Sequence, residues 1–416
     1  MNLYKTIGEK YWVLADQIVV SGSAFLTNLL LAKAMGLPEY GKFSIIVMIQ
    51  LFILSLSMAF SSQVYQVTYP SLPVAEQQKL TPGMLGLQFI AAIAILSGAF
   101  GAWFIWQISG FKSIYFTNIT LMMAAISTVL YVLQDFIRRV FITKVQGRHA
   151  FLIDTLTNAI QLIALLIAWY FNLLGQRMAW SIIGLSFLPS VITGIILLKP
   201  GKITFEVIRF SWKLQIVKGG WLIGSSLLQW GSGYFFVIAA GWWLGASALG
   251  ALRLAQYIFG LLNLLLQAIE NYVLPKVAAI KGDMSVYWWR LMQKSLLMIV
   301  PILCLLSLFA KDIFRIIGGH AYEQYTFVIY GLSLVYLLIT IGYPIRIAIR
   351  SLELNRDYFI GYILSVTTGL MLAPWLIKTW ALHGVLAGIF ITQLIMICYW
   401  SITLQRKYAI LWKSYI

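Results

Sequence analysis

The stretch "MGLPEYGKFS" (Met35–Ser44) separates two long apolar runs, and "WLGASALGAL" (Trp243–Leu252) does the same about half a chain later. Gly36 and Gly245, Gly41 and Gly250, and Trp12 and Trp221 all stand 209 residues apart in a chain of 416. A constant offset of that size predicts two structural repeats, each quoted stretch marking the same hairpin in its own half.

The surrounding composition narrows the class. Hydrophobic residues make up 61% of the chain and charged residues 10%, whereas a soluble domain carries about 25% charged residues. Apolar runs of about 20 residues recur, enough for helices to cross a roughly 30 Å hydrocarbon layer. The alternating strands of an outer-membrane barrel are absent from the pattern, so the expected fold class is an all-α integral membrane protein. Twelve spans are expected, near 12–34, 43–64, 83–108, 114–136, 150–172, 178–198, 219–242, 248–275, 291–310, 325–349, 358–378 and 383–404. The N-terminal "MNLYKTIGEKYW" is followed by no small-residue cleavage site, and is read as leading into a retained first helix.

An even number of spans returns the C-terminus to the starting side. Of the 30 lysines and arginines, 22 fall on the side of the termini, seven on the other face, and Arg253 lies within a span. The positive-inside rule therefore predicts cytoplasmic termini for a multi-pass protein of the inner (plasma) membrane. The net charge of +17 is thereby read as topology, not as a nucleic-acid surface. Six spans per half give both halves one orientation, as expected of parallel repeats. The expected domains are a six-helix lobe over 1–198, a basic cytoplasmic linker over 199–218, and a second six-helix lobe over 219–416. In the linker, Ile203, Val207, Phe210, Leu214 and Val217 fit a helix, while Ile208 to Ile216 also fits strand alternation. A lone strand would leave its edges unpaired, so a helix lying at the membrane interface is expected.

Catalytic signatures are missing. There is no HExxH, no phosphate-binding GxxxxGK[ST], no dinucleotide glycine fingerprint and no nucleophile elbow. His149, His320 and His383 are scattered, and Cys304 and Cys398 are single residues in apolar runs. No enzyme, metal or cofactor is expected beyond a coupling proton or sodium ion.

Polar residues inside spans carry the remaining signal. In the eighth span Arg253, Gln256, Gly260, Asn263, Gln267 and Glu270 recur at helical spacing on one side, opposite leucines. Such a stripe lines a wet cavity or joins helices, with its charged ends reaching opposite interfaces. In "ITIGYPIRIAIRSLELNRD" (Ile339–Asp357), Gly342 and Pro344 predict a kink or break. Arg346 and Arg350 follow on one helix face. Their guanidinium forks suit a phosphate or pyrophosphate, although positive-inside anchoring also explains them. Asp16 and Asp154 sit near the cytoplasmic ends of their spans. With Glu270 they are candidates to bind a coupling ion, or they pair with loop arginines.

The "GLPEYG" hairpin, "LQDFIRRVFITKVQGRHAFLIDTLTN" (Leu133–Asn158), "YVLPKV" (Tyr272–Val277), "IGGHAY" (Ile317–Tyr322) and the last span from "HGVLAGIFITQL" (His383–Leu394) together resemble a known family. It is the Wzx-type O-antigen flippases of the multidrug/oligosaccharidyl-lipid/polysaccharide (MOP) exporter superfamily. The resemblance implies two six-helix lobes around a central cavity that works by alternating access. It implies transport of an undecaprenyl-pyrophosphate-linked oligosaccharide from the cytoplasmic to the periplasmic leaflet, for O-antigen lipopolysaccharide or another surface polysaccharide. Expected partners are that lipid-linked glycan, membrane lipids, and polysaccharide polymerase and chain-length proteins. The cavity bets, drawn from spacing, are Arg253, Gln256, Asn263, Gln267, Arg346 and Arg350. The alternatives are a multidrug/cation antiporter of the same superfamily, which would favour acids over arginines, and a membrane glycan polymerase or ligase, disfavoured by short outer loops.

Overall fold

The computed structural model describes residues 3–108, 118–278, 285–352 and 354–408. Among them there is no β-strand. The helices are α1 (Leu3–Met35), α2 (Leu37–Ser57), α3 (Gln63–Thr68), α4 (Val74–Ile108), α5 (Asn118–Thr143), α6 (Gly147–Tyr170) and α7 (Gln176–Leu198). They continue as α8 (Phe205–Leu244), α9 (Ala246–Ala278), α10 (Ser285–Leu308), the short α11 (Ala310–Gly318), α12 (Phe327–Ser351) and α13 (Asn355–Tyr408). A π-helical turn, Met58–Ser62, joins α2 to α3.

Eleven helices among the described residues are long and apolar enough to cross a membrane. The last, Asn355–Arg406, has 52 residues, and at about 1.5 Å per residue it is long enough for two crossings. It is broken at Ala381, whose φ of 46° and ψ of −127° are not helical. The described helices are thus long enough for twelve crossings, and the chain is an all-α, multi-pass membrane protein.

The paired glycines can now be read physically. Gly36 has φ 75° and Gly245 has φ 86°, a backbone conformation that a Cβ disfavours. Each turns the chain directly from one helix into the next. The Tyr40 amide then donates to the Gly36 carbonyl at 3.0 Å, and the Leu249 amide to that of Gly245 at 3.3 Å.

The chain forms two compact units. The first contains Met1–Met35 and Ile46–Leu227; the second contains Gly36–Ile45 and Leu228–Ile416. In the first unit α5 packs on α4, α6 and α7, while α1 packs on α6. Its core joins Phe136, Ile137, Val140 and Phe141 of α5 to Tyr65, Leu80, Met84 and Ile153. In the second unit α12 packs on α9, α10 and α13. Lipid tails are as apolar as leucine, so such contacts depend on small residues that let helices approach. Gly184 lies against Ser127 in the first unit, and Gly388 against Phe236 in the second.

Three local expectations are amended. The fourth span does not stop near 136: α5 continues to Thr143, which puts Arg138 and Arg139 in helix instead of loop. The segment 199–218 is helical from Phe205 and runs unbroken into the following span. It lies against α4, where a methyl on Gly83 would meet the Val207 carbonyl oxygen at 2.2 Å, and Ser211 and Gln215 are buried. The face that carries Ser211 and Gln215 meets α4, where glycines leave room for it, while Ile203, Ile216 and Val217 stay exposed. Finally, α12 runs through Pro344 without ending. Gly342 serves as a close contact for Ile397.

Candidate functional site

In the first unit, the structure brings Asp16 of α1 and Asp154 of α6 to one guanidinium, that of Arg138 on α5. Arg138 Nη2 lies 2.6 Å from Asp16 Oδ2, and Arg138 Nε lies 2.7 Å from Asp154 Oδ2. Gln134, one turn earlier on α5, donates to Asp154 Oδ1 at 2.8 Å. Asp16 is 0% exposed and Asp154 3%. Two carboxylates facing one guanidinium carry a net charge of −1, which a single added proton cancels. Asp16 Oδ1 is buried without a partner.

Their place near the cytoplasmic ends of their spans singles out the two aspartates, and pairing with an arginine is one of the expected outcomes; that arginine, Arg138, lies on helix α5, past the expected span end near 136. The usable signal was the continuing helical period of "LQDFIRRVF", where Asp135 and Arg139 also pair at 2.7 Å.

The second unit holds a contrasting arrangement. Arg253 on α9 is 4% exposed, yet no carboxylate pairs with it among the described residues. Its Nη1 donates to Gln256 Oε1 and its Nη2 to the Tyr257 hydroxyl, both at 3.0 Å. The guanidinium carbon lies 4.8 Å from the centre of the Tyr257 ring and 5.7 Å from that of Tyr234. Ring faces attract a cation without cancelling its charge. The Nε–H remains buried and unpartnered.

The rest of the stripe diverges. Asn263 donates to the Tyr336 hydroxyl on α12 at 2.8 Å, which is a helix–helix contact. Gln267 is exposed, and the Glu270 side chain lies outside the described residues. Helical spacing aligned these residues, but neighbouring helices separate their environments.

At the end of α12, Arg346 is half-buried and Arg350 exposed. The Arg346 guanidinium lies 5.9 Å from the Tyr343 ring centre, with Tyr358 of α13 within its reach. Among the described residues no group of three or more His, Cys, Asp or Glu is arranged to hold a metal ion.

No protein-family model matches the chain, and no curated protein matches it by sequence. Solved structures do match by shape. A lipid II flippase MurJ, in an inward closed conformation, superposes with a TM-score of 0.72 over 94% of this chain and 87% of its own, at 14% identity. An inward-facing multidrug resistance MATE family transporter of the MOP superfamily gives 0.73 over 95% and 99%, at 12% identity. An outward-facing one gives 0.68 over 98% and 96%, at 14% identity. At such identities the likeness speaks for architecture and leaves the substrate to the chain's own residues. The chain has the two-lobed, all-helical fold of the lipid II flippase and of the multidrug transporters of the MOP superfamily.

Proposed function

We propose that the chain is a flippase that carries an undecaprenyl-pyrophosphate-linked oligosaccharide repeat unit from the cytoplasmic to the outer leaflet by alternating access, for O-antigen or another surface polysaccharide. The observation that carries this reading is Arg253: a guanidinium buried at 4% exposure with no acid paired to it among the described residues. An uncompensated buried charge costs several kcal/mol (~3–5). A site that keeps one favours an incoming anion over an organic cation. One charge at the bilayer centre costs roughly 2.5–3.5 kcal/mol on insertion scales. A pyrophosphate with sugars is therefore held back until protein donors replace its water, while the prenyl tail can stay in lipid. The triad of Asp16, Asp154 and Arg138 supplies the coupling site in this reading, and its single excess negative charge suits one proton per cycle.

Deleting the gene and extracting the lipid-linked glycans tests the proposal. A pyrophosphate-linked repeat unit building up on the cytoplasmic leaflet supports it. A multidrug/cation antiporter is the second reading, favoured by the two carboxylates of the triad. Energised vesicles that expel an organic cation, with the glycan lipids unchanged, would establish that reading instead.

A further inference from the structure

Beside Arg346, the start of α13 presents aromatic residues held in fixed positions. The Tyr358 ring lies parallel to the Trp400 indole, with centres 5.3 Å apart and planes 6° apart. Gly361 allows this approach, since a Cβ there would lie 2.3 Å from Trp400 Nε1. That Nε1 donates to the Asp357 carbonyl at 3.2 Å, which fixes the indole in turn. Tyr358 and Tyr362 bring their hydroxyl oxygens to 3.1 Å.

The donor count decides what such a cluster can bind. The two tyrosines share one hydroxyl hydrogen between them, so one tyrosine O–H is left to donate outward. The Arg346 Nε–H is buried with no partner. No carboxylate pairs with Arg346 among the described residues. Apart from the Asp357 carboxylate, which accepts from the Tyr399 hydroxyl at 3.4 Å, these groups are donors, and the Arg346–tyrosine side of the cluster suits an anion rich in acceptor oxygens. Sugar hydroxyls, which donate as often as they accept, would not relieve that imbalance.

We propose that Tyr358 and Tyr362 join Arg346 in a phosphate-binding subsite at the α12–α13 corner, taking the phosphate or pyrophosphate of a phosphate ester. The subsite rests on the flippase reading and adds two binding residues to it. The phosphate group can belong to a lipid or to a soluble ester. Arg346 supplies charge, and the tyrosine pair supplies an aligned neutral donor.

The test uses the full chain purified in detergent, titrated calorimetrically with inorganic pyrophosphate, farnesyl pyrophosphate, farnesol and tetraphenylphosphonium. Both pyrophosphates should bind, and farnesol should not. Tyr362→Phe should weaken binding about three- to tenfold, as expected for one neutral hydrogen bond. The Tyr358→Phe/Tyr362→Phe double variant should weaken it further, with thermal unfolding unchanged because the ring stack on Trp400 is retained. Tighter binding of farnesyl pyrophosphate than of inorganic pyrophosphate supports the subsite with a lipid-linked source. Equal binding supports it with the phosphate group alone. Wild-type affinity in both tyrosine variants overturns the subsite, and leaves the flippase reading standing if Arg253→Gln still weakens pyrophosphate binding. Wild-type protein that binds tetraphenylphosphonium and neither pyrophosphate overturns both.

Discussion

Gly250 and Gly41, which hold equivalent positions in the two halves of the sequence, touch one another. A methyl on Gly250 would lie 3.1 Å from the Gly41 amide nitrogen and 2.7 Å from the Leu37 carbonyl oxygen. In return, a methyl on Gly41 would lie 1.8 Å from the Ala246 carbonyl oxygen. Both glycines belong to the second unit, although Gly41 comes from the N-terminal half of the chain. Gly36 and Gly245 make the turns, and Gly41 and Gly250 make the crossing.

The crossing predicts a graded series of alanine substitutions. Gly41→Ala meets backbone that cannot rotate away, and should cost at least the 1–3 kcal/mol typical of overpacking. Gly250→Ala should cost less, having more room. Gly22→Ala, with nothing within 4 Å, should be neutral or gain up to about 1 kcal/mol from helix propensity. Thermal unfolding in detergent, followed by tryptophan fluorescence, orders the three. A Gly41→Ala protein as stable as wild type would remove the close crossing from the account.

Ala381 predicts an easy gain. Its φ of 46° and ψ of −127° break α13 in a conformation that costs a non-glycine residue about 1–3 kcal/mol. Ala381→Gly should therefore raise the unfolding temperature, while Ala381→Val should lower it. A glycine variant that melts below wild type would mean that the bend is relaxed by some other geometry.

Two buried arginines should respond in opposite ways. Arg138→Gln leaves the Asp16 and Asp154 carboxylates without their cation. It should cost about 3–5 kcal/mol, the usual penalty for stranding buried charge. Adding Asp16→Asn should recover part of that loss. Arg253→Gln removes a charge that pairs with no acid among the described residues, so stability should hold or rise. Transport should nevertheless fall roughly ten- to hundred-fold, the worth of one charge-assisted contact at ~1.5–3 kcal/mol. Measuring melting temperature and surface glycan on both variants separates the roles. Arg253→Gln with wild-type glycan would make that arginine a packing residue.

Orientation is open to direct measurement. Reporter fusions after Arg148, Lys213 and Lys281 should read cytoplasm, and fusions near Glu39 and His320 should read the outside. An external Lys213 would overturn the even span count of the first half.

Hydropathy and period, both local properties, carried much of the fold. The twelve apolar segments, the helical character of 205–218 and the matched turn glycines Gly36 and Gly245 could all be read from short windows, because a helix in lipid satisfies its own backbone. Tertiary structure decided the partnerships. Arg138 stands 122 residues from Asp16 and 16 from Asp154, and only the packing of α1, α5 and α6 joins them. Arg253 and Asn263 share one helical stripe, but α12 approaches one and tyrosine rings the other, so equal spacing ends in different chemistry. The same holds for Gly41, whose place in the second unit depends on a backbone crossing with Ala246. Side-chain charge and helix face are written along the chain. Which face meets which is set by the rotation and approach of whole helices, a sum of many weak contacts that no single stretch contains.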